Sequence, residues 1–496
     1  MSEIQVDTNC PNASQYKVHA DYNAMLNQTN IGANNNKFYV IQVLEKGGKF
    51  FVWNRWGRVG EGGQSALKPA PSADAAVKEF SKKFREKTVN SWEDRKSFKP
   101  SPGKYTLIEI DTDADGKKKA ETEARLAELA KNKPAAAAVV VPNVLPCSLV
   151  PQLQSFIKLI FDKDMFQSAM ASFEIDVKKM PLGQLSKSQV QKGFEALEEI
   201  EHALNAGRTG ELNTLASKFY TVIPHDFGRK RPPAITTAET LQKKRDMLNV
   251  LADIEVALGM ENKATAAAAP VENALPHPID ANYKTLKADL VYVDPKSDEY
   301  TMIDKYLVAT REASGYYKPE LLDVFRVDRH TEGDRFKAHD TLDNRKLLWH
   351  GTNVAVVAAI LGSGLRIMPH SGGRVGRGIY LASENGKSIH YVGPAGNTGV
   401  MFLAEAALGK EHHIWKDDPS LRNPPKGFDS ILAKGHTEPD PKDDITWEFE
   451  GRKVTVPQGK PIAMKDWKKS SFTQTEYLLY QESQVRIRYV LKIKMR

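Results

Sequence analysis

Cysteine is scarce in this sequence, with only Cys10 and Cys147 among 496 residues. Two cysteines exclude a disulfide framework and any cysteine-based zinc module, and they suit a reducing compartment. Long hydrophobic runs are also missing, because no stretch approaches the roughly 20 apolar residues of a membrane helix. The first seven residues lack a basic segment followed by an apolar core, so we expect neither a secretory signal nor a membrane partner.

Neither sign of charge dominates the sequence. Lys and Arg number 70 against 62 Asp and Glu, which gives a net charge of +8 and a pI of about 9.0. A mild basic excess favours an anionic partner such as nucleic acid, although the location of the charge carries more information than its sum. Apolar residues make up 41%, as in globular proteins, and the length allows about three domains.

A small β-rich module is predicted over residues 36–112, after an Asn-rich start, residues 1–35, that we expect to be disordered. The apolar segments 39–44 and 50–53 flank a Lys-Gly-Gly-Lys turn and predict a hairpin. Ser72 is a candidate N-cap for a helix with apolar residues on one face. The other face of this helix is basic, with Lys78, Lys82, Lys83, Arg85 and Lys87.

Aromatic, glycine and arginine residues alternate after the hairpin, at Trp56-Gly57-Arg58. A run of charges is usually only a solvated face, but basic groups beside planar rings can hold phosphate and stack on a base. Together with the basic helix and Pro-Gly-Lys-Tyr at 102–105, this segment resembles the WGR domain of the DNA-dependent poly(ADP-ribose) polymerases. The resemblance implies recognition of DNA breaks with 5′-phosphorylated ends by Trp56, Arg58 and Tyr105.

An Ala, Lys, Glu and Pro composition predicts a linker over residues 113–142. Over residues 143–262 apolar residues recur with a period of 3.6, which predicts an all-α bundle. Its third helix follows a capping box at 236–239 and is predicted to end at Gly259. A second, Ala-rich linker is predicted over residues 263–274.

The bundle itself carries no catalytic pattern, since its apolar stripes are core positions. Its segment 181–186, Pro-Leu-Gly-Gln-Leu-Ser, is similar to the regulatory helical domain of the same polymerase family. The resemblance implies that the bundle obstructs a donor site and that DNA binding loosens it. This mechanism requires that DNA change the stability of the bundle.

Residues 275–496 are rich in short strands and turns and predict a mixed α+β domain with antiparallel sheets. An apolar run at 347–349 leads to His350 and Gly351, which we place at the end of a buried strand. Such a histidine alone is more often structural than catalytic. Tyr380 follows in a Gly-Ile-Tyr segment, and Glu476 begins a strand near the C-terminus.

Two other interpretations of this region are disfavoured. The glycines at 372–376 lack the spacing of a dinucleotide-binding fingerprint, and no helical pattern follows them. Glu411-His412-His413 could suggest a metal-dependent hydrolase, but adjacent histidines on a strand point to opposite faces. We therefore expect no metal.

His350, Tyr380 and Glu476 together resemble the His-Tyr-Glu signature of the ADP-ribosyltransferase fold in this polymerase family. The resemblance implies a multidomain α+β enzyme with NAD⁺ as co-substrate, in which these three residues are catalytic and His350 holds the ribose on the adenosine side. It also implies that Glu476 stabilises the oxocarbenium character that develops when nicotinamide leaves. The implied NAD-binding set is His350, Gly351, Arg366, Tyr380, Ser388 and Tyr391.

The expected function is NAD-dependent ADP-ribosylation of proteins, including the enzyme itself, activated by DNA strand breaks and serving DNA repair. Mainly single ADP-ribose units are expected, with DNA ends as a further class of acceptor. A nuclear location follows from the DNA-break role more than from any targeting signal. The alternative is a DNA-end-binding scaffold with an inert transferase domain, against which the intact His-Tyr-Glu set argues.

Overall fold

A computed structural model describes residues 4–109, 143–162, 164–165, 186–267, 274–312, 317–367, 372–465 and 467–495. The predicted linker at 113–142 and nearly all of the 181–186 segment therefore lie outside the described residues. The chain divides into two compact units. One comprises Met1–Val141 with Met170–Glu255, and the other comprises Pro142–Ala169 with Val256–Arg496.

The first unit contains a five-stranded antiparallel sheet in the order β4-β3-β2-β1-β5. Helix α1 (Ala73–Thr88) packs on it through Phe80 and Phe84. The predicted N-cap is confirmed, since the Ser72 hydroxyl accepts a hydrogen bond from the Ala75 amide at 3.2 Å. The strands are β1 (Lys17–Asn30), β2 (Asn35–Lys46), β3 (Lys49–Arg58), β4 (Gln64–Ala70) and β5 (Thr106–Leu107).

The prediction of a disordered segment through residue 35 is wrong, because β1 is a central strand of this sheet. Two of the asparagines in β1 and β2, Asn27 and Asn36, are buried and hydrogen-bonded. The Asn27 side chain donates to the Tyr220 carbonyl at 3.0 Å, and that of Asn36 donates to the His225 carbonyl at 2.7 Å. Asp7 is also buried, where its carboxylate accepts from Arg55 at 2.6 Å. These polar residues can therefore be buried in this part of the first unit because each forms a hydrogen bond there.

The helical region contributes to both units. Helices α3 (Lys187–Asn205) and α4 (Leu212–Val222) lie in the first unit. Helix α2 (Pro151–Ile160) lies in the second, where the Phe156 ring packs 5.0 Å from that of Phe325. Helix α5 (Ala238–Ala267) runs eight residues beyond its predicted end, so residues 263–267 are helical and not linker. One glycine costs a helix about 1 kcal/mol, which a 30-residue helix can absorb.

The second unit is built on a seven-stranded sheet in the order β16-β17-β10-β12-β21-β9-β8. A four-stranded sheet, β11-β20-β14-β13, and a three-stranded sheet, β18-β15-β19, accompany it. Most neighbours are antiparallel, as predicted, while β10–β17, β13–β14, β15–β19 and the separate two-stranded sheet β6–β7 are parallel. The strands are β6 (Asn143–Val144), β7 (Ala274–Leu275), β8 (Ala288–Tyr292), β9 (Glu320–Arg329), β10 (Arg345–Thr352), β11 (Ile379–Leu381), β12 (Thr398–Ala407), β13 (Glu411–Ile414), β14 (Ser430–Ala433), β15 (Gly435–Pro439), β16 (Ile445–Phe449), β17 (Arg452–Val456), β18 (Pro461–Ala463), β19 (Phe472–Gln474), β20 (Glu476–Leu479) and β21 (Val485–Lys494).

Short helices cover this unit. Helix α7 supports β10, because the Tyr306 hydroxyl donates to the Leu347 carbonyl at 3.0 Å beneath the Trp349 ring. In the parts of the chain that are described, no helix has the length and apolarity needed to cross a membrane. The helices are α6 (Pro278–Thr285), α7 (Asp298–Ala309), α8 (Glu332–Phe336), α9 (Val357–Ser363) and α10 (Asn385–Ser388).

Candidate active site and nucleic-acid interface

Two short backbone pairings bring the predicted His-Tyr-Glu residues together. Tyr380 on β11 pairs with Leu478 on β20, the strand whose first residue is Glu476. Next to His350 on β10, Trp349 exchanges two backbone hydrogen bonds with Ala382, at 2.8 and 3.0 Å. Residues far apart in sequence thus meet where two sheets adjoin. The strand assignment for His350, made from an apolar run of three residues, is confirmed.

His350 is held in one orientation by backbone. Its Nδ1 lies 3.1 Å from the Tyr380 carbonyl oxygen, which can only accept, so Nδ1 carries the proton in this bond. Burial lowers the pKa of His350, against a smaller opposing effect of the Tyr380 carbonyl. At neutral pH the imidazole is therefore uncharged, and its Nε2 presents a lone pair. This state suits a binding role and not a proton shuttle.

Glu476 is buried and paired with a residue that the sequence analysis did not select. The Lys387 ammonium lies 2.7 Å from the Glu476 carboxylate, with the two side chains 19% and 6% exposed. Burial is the largest single effect and lowers the pKa of Lys387, but the charge of Glu476, the charge of Tyr391 and the hydrogen bond to Glu476 together outweigh it, so the net pKa is raised. The sequence could have pointed to Lys387, since it directly precedes Ser388, a predicted NAD-binding residue, on α10.

The Tyr380 hydroxyl holds the glycine-rich segment that precedes its strand. It accepts a hydrogen bond from the Val375 amide at 3.0 Å and donates to the Gly376 carbonyl at 2.8 Å. A Cβ at position 373 would lie 2.3 Å from this hydroxyl, so only glycine fits there. The ring of Tyr391, by contrast, is 49% exposed, with the Lys387 ammonium 5.9 Å from its centroid.

Gly351 permits β10 to approach α10. A Cβ at this position would lie 1.8 Å from the carbonyl oxygen of Ser388, which is itself buried. The absence of a side chain therefore brings the backbone of Gly351 and Ser388 together beside His350. Arg366 follows α9 and precedes Ile367, whose amide donates to the Glu482 carboxylate at 2.8 Å.

The predicted DNA-contacting residues lie in the first unit in two groups. Trp56 stacks on Tyr39 with centroids 5.8 Å apart and an angle of 14°, and Tyr105 meets Tyr39 edge-on at 6.1 Å. The guanidinium of Arg58 instead donates to the Asn34 carbonyl at 3.0 Å and to the carbonyls of Gly228 and Lys230. Arg58 thereby ties the sheet to the loop that precedes α5.

The histidines considered for a hydrolase do not converge. The His412 ring packs against Phe428 at 4.9 Å, whereas His413 Nε2 lies 3.4 Å from the Glu411 carboxylate. Among the described residues, no group of three or more His, Cys, Asp or Glu side chains is arranged to hold a metal ion.

Comparison with known proteins matches all three predicted domains. The poly(ADP-ribose) polymerase catalytic domain matches residues 297–495, the regulatory domain of this polymerase matches 147–283, and the WGR domain matches 22–99. The last match begins inside β1, in agreement with the sheet.

Similar proteins extend along nearly the whole chain. Protein mono-ADP-ribosyltransferase PARP3 of Mus musculus is 52% identical over 99% of this chain and 92% of its own length, as is the Homo sapiens protein of that name. Poly [ADP-ribose] polymerase 2-A of Oryza sativa is 37% identical over 95% of this chain and 70% of its own length. Segments 351–357 and 369–376 and the absence of zinc fingers in the sequence predict a likeness to poly(ADP-ribose) polymerase 3, and this prediction is confirmed. The chain belongs to the poly(ADP-ribose) polymerase family, and the prediction of an ADP-ribosyltransferase that uses NAD⁺ is confirmed with it.

Proposed function

We propose that this protein is activated by DNA strand breaks with 5′-phosphorylated ends and transfers mainly single ADP-ribose units from NAD⁺ to protein side chains, its own included. The observation that carries the proposal is the meeting of His350, Tyr380 and Glu476 beside Gly351 and Ser388. The PARP3 relatives are named mono-ADP-ribosyltransferases, which supports single-unit transfer. Glu, Asp and Ser side chains and DNA-end phosphates are the proposed acceptors.

Glu476 has the catalytic role in this proposal. When the glycosidic bond to nicotinamide breaks, positive charge develops on the ribose C1 and ring oxygen. A buried carboxylate that accepts a hydrogen bond from a ribose hydroxyl stabilises that charge, and it does so more strongly away from water. Lys387 holds the carboxylate in place before substrate binds.

The remaining residues bind the donor. Neutral His350 offers Nε2 to a hydroxyl of the adenosine-side ribose, while the Gly351 backbone and the Ser388 hydroxyl bind the nicotinamide amide. The Tyr380 and Tyr391 rings line the faces of nicotinamide by stacking. Arg366 contacts the adenosine half. The exposure of the Tyr391 side chain supports its stacking role.

On the DNA side, Trp56 and Tyr105 supply rings and Arg58 supplies a phosphate ligand. Because Arg58 also holds the carbonyls of Gly228 and Lys230, a phosphate that binds it competes with the loop before α5. DNA binding thereby alters the helical region, which is the requirement for break-dependent activation. A role in DNA repair and a nuclear location follow from this proposal.

The deciding experiment measures nicotinamide release and protein ADP-ribosylation with NAD⁺, with and without nicked DNA carrying a 5′-phosphate. We expect release that rises with DNA. Glu476→Gln should abolish transfer while binding the same DNA, and Glu448→Gln, on an exposed position of β16, serves as the matched control with full activity. If the wild-type protein releases no nicotinamide under either condition, the scaffold alternative holds and the enzyme proposal fails.

A further inference from the structure

The glycine-rich segment 372–378 is held by several neighbours besides Tyr380. The Tyr480 hydroxyl donates to the Val375 carbonyl at 2.6 Å, and the Arg377 amide donates to the Leu421 carbonyl at 3.0 Å. A segment so rich in glycine has high conformational freedom by itself. Its position is therefore set by these tertiary bonds.

Arg374 makes the strongest of these connections. Its Nε and Nη2 lie 2.7 and 2.8 Å from the two oxygens of Asp417, and Nη2 also donates to the Ser471 carbonyl at 2.8 Å. The Ser471 hydroxyl completes the arrangement with a 2.6 Å bond to Asp417. The guanidinium lies over the Phe472 ring, with its carbon 4.5 Å from the centroid. A planar bidentate pair of this kind fixes the relative orientation of the guanidinium and the carboxylate as well as the distance between them.

This arrangement leads directly to the catalytic carboxylate. Ser471 precedes β19, which spans Phe472–Gln474, and Glu476 begins the next strand after one intervening residue. The hydrogen bond to Asp417 raises the pKa of Arg374, and the charge of Glu476 adds to the increase. The charges of Arg374 and Glu476 are thus near enough to interact, although no hydrogen bond joins these two side chains in the part of the chain described.

We propose that Arg374 is a positioning residue for ADP-ribose transfer, whose pair with Asp417 and bond to Ser471 fix the strand leading to Glu476 against the segment held by Tyr380. The inference rests on the proposed function of Glu476 and extends it to a residue that touches no reacting atom. A misplacement of about 1 Å at a catalytic group can cost on the order of a hundredfold in rate, so a rigid connection here sets the turnover number.

The test is a double-mutant cycle of Arg374→Ala and Asp417→Ala, read as kcat and KM for NAD⁺ in nicotinamide release by the full-length protein with nicked DNA. Each single variant should lower kcat about ten- to a hundredfold, with KM changed by less than about threefold, because an interaction needed for the transition state is lost. The double variant should be no slower than the slower single one, because the two side chains act as a unit. Arg374→Lys keeps the positive charge but cannot form the bidentate pair with Asp417, so its kcat should remain about tenfold below that of the wild type.

Arg422→Ala is the matched control, since this exposed arginine donates to the Pro419 and Leu421 carbonyls of its own loop, and it should keep wild-type kinetics. Thermal unfolding verifies that each variant is folded. If Arg374→Ala is not folded, the same kinetic test is made with the isosteric variant Asp417→Asn, which should also lower kcat. Unchanged kcat, multiplicative losses in the double variant, or full recovery in Arg374→Lys would each overturn the inference. Failure of the proposed function differs visibly, because the wild-type protein itself would then release no nicotinamide.

Discussion

The Lys387 ammonium contacts the Glu476 carboxylate at 2.7 Å, inside a site where both side chains are largely removed from water. A charge-assisted hydrogen bond of this kind is roughly twice as strong as a hydrogen bond between neutral groups. The pair links α10, which carries Ser388, to β20, which carries the proposed catalytic carboxylate. Chemistry at Glu476 should therefore depend on a lysine that no motif requires.

Lys387→Met should lower kcat for nicotinamide release by about ten- to a hundredfold, which corresponds to the roughly 1.5–3 kcal/mol of a hydrogen bond to a charged group. The length of the side chain is retained, so packing changes little. Steady-state kinetics measure the effect, with Lys410→Met as a control on the surface lysine that lies over Phe428. A variant with wild-type kcat would show that the pair has no part in transfer.

Glu405→Ala should destabilise the second unit by about 3–5 kcal/mol, because it leaves buried guanidinium groups without their counter-ion. The Glu405 carboxylate is fully buried and pairs with Arg345 at 2.8 Å and with Arg488 at 2.5 Å. Glu450 also contacts Arg488 but is 58% exposed, so Glu450→Ala should cost less than about 1 kcal/mol. Chemical denaturation measures both, and equal costs would contradict the argument.

Acidification should destabilise the first unit through His225. Burial, followed by the charge of Lys244, lowers the pKa of His225 from 6.5 to about 3, despite its bond to the Ile223 carbonyl. Because the folded-state pKa lies below the unfolded one, the stabilising contribution is complete above pH 6.5 and is lost as the pH falls toward 3.

The full loss of unfolding free energy on acidification is on the order of 5 kcal/mol. His225→Phe keeps a ring beside Phe227 and should abolish this pH dependence. Urea unfolding of both proteins between pH 7 and pH 3.5 measures the difference in slope. Parallel curves for the two proteins would refute the assignment to this histidine.

Arg58→Ala should weaken binding to nicked DNA more when the nick carries a 5′-phosphate than when it carries a 5′-hydroxyl, because the lost contact is to the phosphate. It should also reduce stimulation of nicotinamide release by DNA, since Arg58 holds the loop at Gly228 and Lys230. Fluorescence anisotropy with the two nicked duplexes measures the discrimination. Lys49→Ala, at the exposed hairpin turn, is the control, and equal losses on both duplexes would contradict the phosphate role.

Local patterns in the sequence determined much of this protein. The apolar hairpin segments, the Ser72 cap and the apolar run before His350 each specify a structure within a few residues, so they were predictable. The His-Tyr-Glu residues were recognised because their motifs are short and contiguous. The predicted disorder before residue 35 failed because Asn27 and Asn36 are satisfied by partners nearly 200 residues away.

Only the tertiary structure decided which of these residues act on one another. The pairing of Lys387 with Glu476 and of Arg374 with Asp417 depends on how distant strands, helices and loops pack, and no local period encodes it. The neutral state of His350 is likewise set by burial, and the position of its proton by the hydrogen bond to the Tyr380 carbonyl. The sequence alone determined the types of chemical group and their local structure, while their charge states and partners required the packed fold, because both depend on desolvation and long-range contacts.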